Sequence, residues 1–181
     1  MATKILGING SLRKQSFNRS ALVAAQKLVP ADTVLDIYDL HGIPVFNQDE
    51  EKNPVPAVTN FKAAIRAADA ILFATPEYNY SIPGVLKNAI DQAARPYGDS
   101  AWAGKPVAIV GASVGVLGTA RAQYHLRQTF IFLNMNAVNQ PEVFIRECAN
   151  KFDAAGNLTD DMAKKLIAQL LENLVALAKK K

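Results

Sequence analysis

Ser11-Leu12-Arg13-Lys14-Gln15-Ser16-Phe17-Asn18 is a polar, basic turn set between two segments of different character. Before it, Lys4-Ile5-Leu6-Gly7-Ile8-Asn9 is an apolar run of strand length. After it, residues 19–28 carry the apolar spacing of a helix. A turn that enters a helix leaves backbone N–H groups unpaired and lies at the positive end of the helix dipole, which together favour a bound phosphate. Two hydroxyls, an amide and a guanidinium in the turn suit such a cradle. The same residues admit a plainer reading, with Ser16 or Asn18 as a helix cap and Arg13 as a solvated charge. Taken alone, the stretch supports both.

A second junction of the same kind lies further along. Residues 70–75 (Ala-Ile-Leu-Phe-Ala-Thr) form another short apolar run, ending at Pro76-Glu77-Tyr78-Asn79-Tyr80-Ser81-Ile82-Pro83-Gly84. Pro83 suits the first turn of a following helix over residues 85–94, with Ser81 or Ile82 as its cap. Tyr78 and Tyr80 fit a half-buried core. On a loop at a strand's carboxyl end they equally fit a planar heterocycle needing flat apolar neighbours and hydrogen-bonding edges.

Strand-like runs recur at residues 4–9, 33–38, 70–75, 106–112 and, more weakly, 136–145, with helical patterns between them. That alternation predicts a parallel sheet wrapped by helices. The 181 residues, half of them apolar, are expected to form one domain, 1–181, since no linker or repeat divides them. Residues 46–60 are rich in charge, Asn and Pro and predict a long loop. Residues 159–179 predict a core-packing helix through Leu166, Leu170, Leu174 and Leu177. Residues 120–134 carry apolar side chains on more than one helical face, which fits either a wholly buried helix or a surface shared with a second copy.

Several function classes find no support. The net charge of +4 is modest and comes without the basic face and interleaved aromatics of a nucleic-acid binder. One cysteine, Cys148, allows no internal disulfide, and His41 and His125 lack metal-ligand spacing. The first residues lead straight into a strand and no apolar run is long enough for a membrane span, so a cytoplasmic protein with no membrane partner is expected. Gly111-Ala112-Ser113-Val114-Gly115 matches the G-x-S-x-G elbow of serine hydrolases and follows a strand-like run. The only later histidine is His125, however, with no acid between Ser113 and it. The simpler account is a glycine loop whose backbone approaches a flat ligand, with Ser113 facing it.

Three ordered motifs together carry a resemblance. Gly10-Ser11-Leu12-Arg13-Lys14-x-Ser16-Phe17-Asn18, then Pro76 to Gly84 continuing into Leu86-Lys87-Asn88-Ala89-Ile90-Asp91, then Ser113-x-Gly115-x-x-Gly118-x-x-Arg121-x-Gln123-x-x-Leu126-Arg127, resemble the NADPH-dependent FMN reductase family, including its quinone and chromate reductases. The resemblance implies a flavodoxin-like three-layer sandwich, a five-stranded parallel sheet of order 2-1-3-4-5 with helices on both faces. FMN would lie across the carboxyl ends of the central strands. Its phosphate would meet Ser11, Leu12, Arg13, Lys14, Gln15, Ser16, Phe17 and Asn18, its ring Pro76, Glu77, Tyr78 and Asn79, and its pyrimidine side Ser113. NADPH or NADH would be the co-substrate and a quinone, free flavin, azo compound or chromate the acceptor, with no side-chain catalyst, because the cofactor carries the chemistry. The family also implies a homodimer or tetramer, in which Arg121, Tyr124 and Arg127 would pair across an interface with a carboxylate such as Glu142. A flavodoxin-type electron carrier is the other reading of the fold, but such carriers are typically acidic.

Overall fold

The computed structural model describes residues 2–180. The chain runs β1 (Thr3–Asn9), α1 (Phe17–Gln26), β2 (Thr33–Asp39), α2 (Pro56–Ala67), β3 (Ala70–Ala74), α3 (Gly84–Ala94), β4 (Pro106–Ala112), α4 (Ala120–Phe132), β5 (Asn136–Ala137), β6 (Val143–Ile145) and α5 (Asp161–Ala178). All strand pairs are parallel, in the expected order β2-β1-β3-β4-β5. β3 and β4 are buried along their whole length, as central strands of a parallel sheet covered on both faces must be, whereas β2 at the edge alternates.

The helices divide between the two faces. Ile5, Leu22, Leu72, Val110, Leu170 and Leu174 belong to one apolar cluster, which α1 and α5 cover. Leu6, Phe61, Phe73, Ile90, Trp102 and Phe130 belong to the other, under α2, α3 and α4. Trp102 is fully buried there, and its indole N–H donates to the Ile90 carbonyl at 3.0 Å, so the large ring leaves no polar atom unpaired.

The expected fifth strand is two pieces. β5 pairs with the start of β4 and β6 with its end, and the residues between, 138–142, include Pro141. Proline has no N–H to give a ladder and interrupts pairing. The long loop expected over residues 46–60 stops at Val55. Pro56 stands at the first position of α2, where its missing N–H costs nothing, and Val58, Phe61 and Ile65 bury one face. Pro83 sits one residue before α3, so it is the cap residue of that helix and neither Ser81 nor Ile82 fills that role.

Candidate functional site

Because the strands are parallel, the segments after β1, β3 and β4 emerge at one end of the sheet. The first is drawn tight against the second. Gly10 donates its N–H to the Ala74 carbonyl at 2.8 Å, and a Cβ at position 10 would stand 2.9 Å from that oxygen, so only glycine allows the approach. Asn9 folds the turn from within: its carboxamide accepts from the Ser11 N–H at 3.2 Å and donates to the Ser11 carbonyl and to Asp39, each at 2.8 Å. Ser11 and Ser16 are buried, and their hydroxyl oxygens accept from the N–H groups of Arg13 and Arg19 at 3.3 Å. Ser16 is therefore the cap of α1, and Asn18 is not.

Asn18 serves a different purpose. Its side chain is buried and clasps both main-chain groups of Ala112, donating to the carbonyl at 3.0 Å and accepting from the N–H at 2.8 Å. The first turn is thereby riveted to the end of β4. Phe17 packs its ring against Phe152, with centroids 5.4 Å apart. Arg13, Lys14 and Gln15 are left exposed, and among the described residues neither cation has an ion-pair partner. A cavity of ≈ 530 Å³ opens beside them, lined by Arg13 to Phe17 and by residues 153–157.

The segment after β3 begins with buried Thr75 and Pro76 and then turns back on itself. Tyr78 and Ser81 exchange both N–H···O=C bonds at 3.0 Å. Asn79 and Tyr80 between them have φ of +50° and +66°, the left-handed pair of a type I′ turn. Asparagine tolerates that conformation, but tyrosine at the second position is strained. Tyr78 and Tyr80 both point their rings into the open. Glu77 does the reverse: its carboxylate accepts from the N–H groups of Arg121 and Ala122 at 3.1 and 3.2 Å and from Arg121 Nε at 2.6 Å.

After β4, Ser113 donates its N–H to Ile145 and accepts one from Cys148 on its carbonyl, which fixes the loop to β6 and the segment beyond. Its hydroxyl oxygen accepts from the Gly115 N–H at 3.1 Å. His125 bonds Ser81 Oγ at 3.0 Å, so the histidine required for a hydrolase triad is engaged on another loop. Gly111 is held to glycine by Thr119, whose hydroxyl oxygen lies 1.8 Å from where a Cβ would stand. Val114, Val116 and Leu117 are exposed, as are Leu12, Tyr78 and Tyr80 on the other two loops, and Val116 and Leu117 line a cavity with residues 142–146, Met162 and Leu166. Sequence reasoning passed over the three aliphatic residues because nothing in a glycine-rich run says which side chains face outward. Beneath them Cys148 is buried, and that burial pushes its thiol up to about 11, with Arg13 and Lys151 acting in the opposite direction.

The structure thus brings the three predicted loops to one end of the sheet. The cavity at Arg13 is lined by the first loop and residues 153–157, without residues 76–79 or Ser113. Arg121, Tyr124 and Arg127 find partners within their own chain: Arg121 on Glu77, the Tyr124 hydroxyl on Glu142 at 3.3 Å, and Arg127 on the Val138 carbonyl. Among the described residues no cluster of three or more His, Cys, Asp or Glu side chains is placed to hold a metal ion. Nor is any described helix long and apolar enough to cross a membrane.

Comparison with known proteins gives a consistent result. A family model described as NADPH-dependent FMN reductase matches residues 3–150. An NAD(P)H-dependent FMN reductase of Pseudomonas aeruginosa is 55% identical over 172 residues, covering 94% of this chain and 92% of its own. A 2-hydroxy-1,4-benzoquinone reductase of a Burkholderia species is 43% identical, covering 97% and 96%. Among solved structures, the flavoenzyme NAD(P)H:(acceptor) oxidoreductase FerB from Paracoccus denitrificans superposes with a TM-score of 0.88 at 36% identity, covering 99% and 98%.

Proposed function

The chain belongs to the NADPH-dependent FMN reductase family, and we propose how its own residues serve that chemistry. It is an FMN-dependent NAD(P)H oxidoreductase of the quinone reductase type. Hydride uptake from NAD(P)H and electron release to an acceptor are supplied by the bound FMN. The protein's part is to bind, orient and exclude water.

The donor chemistry of the three loops fits that group. Arg13 is the cation for the phosphate, aided by the unpaired N–H groups at the start of α1 and by the Ser11 and Ser16 hydroxyl protons, whose oxygens already accept from the main chain. Leu12, Lys14, Gln15 and Phe17 wall the phosphate end, while Asn18 fixes its distance from β4. Pro76, the Glu77 main chain, Tyr78 and Asn79 border the ring, and Ser113 with its neighbouring N–H groups borders the pyrimidine edge. The observation that carries this assignment is the unpaired, exposed Arg13 at the mouth of α1, on a turn held by Asn9 and Gly10 against β3.

Quinones are the acceptor class we favour. The exposed apolar side chains of Leu12, Tyr78, Tyr80 and Val114 on the three loops suit a flat, weakly polar molecule better than an oxyanion, and a 43% identical relative is named for a benzoquinone. Either NADPH or NADH serves as donor, and the 181 residues act as one cytoplasmic FMN-binding unit. Self-association is part of the proposal. Ile131 and Phe132, at the end of α4, are 84% and 78% exposed beside a cavity of ≈ 500 Å³ lined by Phe46, Ile90, Tyr97 and Leu133. That is apolar surface suited to a second copy. Phe132→Asp is expected to lower the oligomer size in light scattering.

The test of the site is a fluorescence titration of FMN into Arg13→Ala protein. Loss of a charge-assisted hydrogen bond of roughly 1.5–3 kcal/mol weakens binding about ten- to a hundredfold, with the unfolding midpoint unchanged. Wild-type affinity in that variant at moderate salt would rule the phosphate assignment out.

A further inference from the structure

We infer that Glu77 is a positioning residue, acting through α4 on the shape of the flavin-facing turn, and not a ligand through its carboxylate. The inference rests on the placement of the ring at residues 76–79. Thr119, which precedes α4, has φ +75° and no side-chain cap bond, so the first N–H groups of that helix lack the usual local acceptor. Glu77 supplies one from 44 residues away. One carboxylate oxygen takes the Arg121 and Ala122 N–H groups, and the other takes Arg121 Nε. The Glu77 side chain is 8% exposed, which leaves little of it for another molecule.

The clamp returns to the turn by a second path. With its Nε fixed on Glu77, the Arg121 guanidinium lies 3.6 Å from the centre of the Tyr80 ring. Tyr80 is the residue held at φ +66°, in the position of a type I′ turn that ordinarily goes to glycine. A stacked cation, fixed in turn by a buried carboxylate, is what keeps that strained residue in place. His125, one turn further along α4, adds its bond to Ser81 on the far side of the turn. Helix α4 is therefore the splint of the turn, and Glu77 is the fastening.

The experiment compares Glu77→Ala, Glu77→Gln, Arg121→Ala and the double variant Glu77→Ala/Arg121→Ala. Two readouts are taken: amide hydrogen exchange at Arg121 and Ala122 without FMN, and FMN titration. Glu77→Ala should speed exchange at both amides and weaken FMN roughly tenfold. Glu77→Gln, which keeps an acceptor for the helix N–H groups and loses the charge, should leave exchange near wild type yet weaken FMN part of the way. The double variant should bind FMN no worse than Glu77→Ala alone, since both changes break one clamp. Losses in the two single variants that multiply in the double would overturn the inference, because Glu77 would then reach the cofactor by its own route. Wild-type exchange and affinity in Glu77→Ala would overturn it as well. Arg13→Ala, which touches the phosphate end alone, separates a failure of the site assignment from a failure of the clamp.

Discussion

The turn after β1 and the turn after β3 sit side by side at one end of the sheet and are built in opposite senses. The first turns Asn9 and Ser11 onto its own backbone and Asn18 onto Ala112, and leaves Arg13, Lys14 and Gln15 outside. The second turns its one charge inward, Glu77 to α4, and leaves Tyr78 and Tyr80 outside. One turn presents cations and the other presents flat apolar rings. The difference matches a ligand that is a dianion at one end and a heterocycle at the other. In the first turn Arg13 and Lys14 make no ion pair because uncharged groups carry the structural duty, and in the second Glu77 carries it, leaving the Tyr78 ring in the open.

Removing the rivet of the first turn should have the largest effect. Asn18→Ala leaves the buried N–H and carbonyl of Ala112 without partners, at a cost of roughly 2–4 kcal/mol in stability, read as a lower urea midpoint. A midpoint equal to wild type would mean that water replaces the amide and that the turn is not riveted to β4.

The next contrast is between the two cations. Arg13→Ala is expected to weaken FMN about ten- to a hundredfold, as argued above, and Lys14→Ala about threefold or less, since a flexible ammonium gives no forked contact. Equal losses in the two variants would show a diffuse basic field in place of a built phosphate contact. The smallest effect is expected at Ser113. Its hydroxyl offers one neutral bond, worth about 0.5–1.5 kcal/mol, so Ser113→Ala should keep NAD(P)H oxidation within about tenfold. Measurable esterase activity that vanishes in the variant would instead revive the nucleophile reading of the glycine loop.

The same contrast explains what the sequence made legible. Cations in a turn between a strand and a helix announce themselves, because their role depends on neighbours a few residues away. The sheet order follows likewise from buried runs such as residues 70–74 alternating with helical periods. Glu77 reads as one more polar residue of a binding loop, since its partners Arg121 and Ala122 are far off in the chain. Asn18 reads as a cap or a phosphate donor, because its partner Ala112 is 94 residues away. The break between β5 and β6 and the start of α2 were hidden for a different reason. Prolines mark both places, and a proline that ends pairing and one that opens a helix look alike until the fold shows on which side it lies.

Cys148 has a chemical consequence for an enzyme that handles quinones. Quinones are electrophiles that arylate thiolates, and a protein turning them over meets them at high local concentration. The chain has a single cysteine. With its thiol buried and pushed up to about 11, roughly one molecule in ten thousand carries a thiolate at pH 7. The segment that anchors Ser113 thus holds the chain's only thiol protonated and buried. Folded protein should react with a thiol reagent or a benzoquinone far more slowly at Cys148 than unfolded protein does, as mass spectrometry of the modified chain would show.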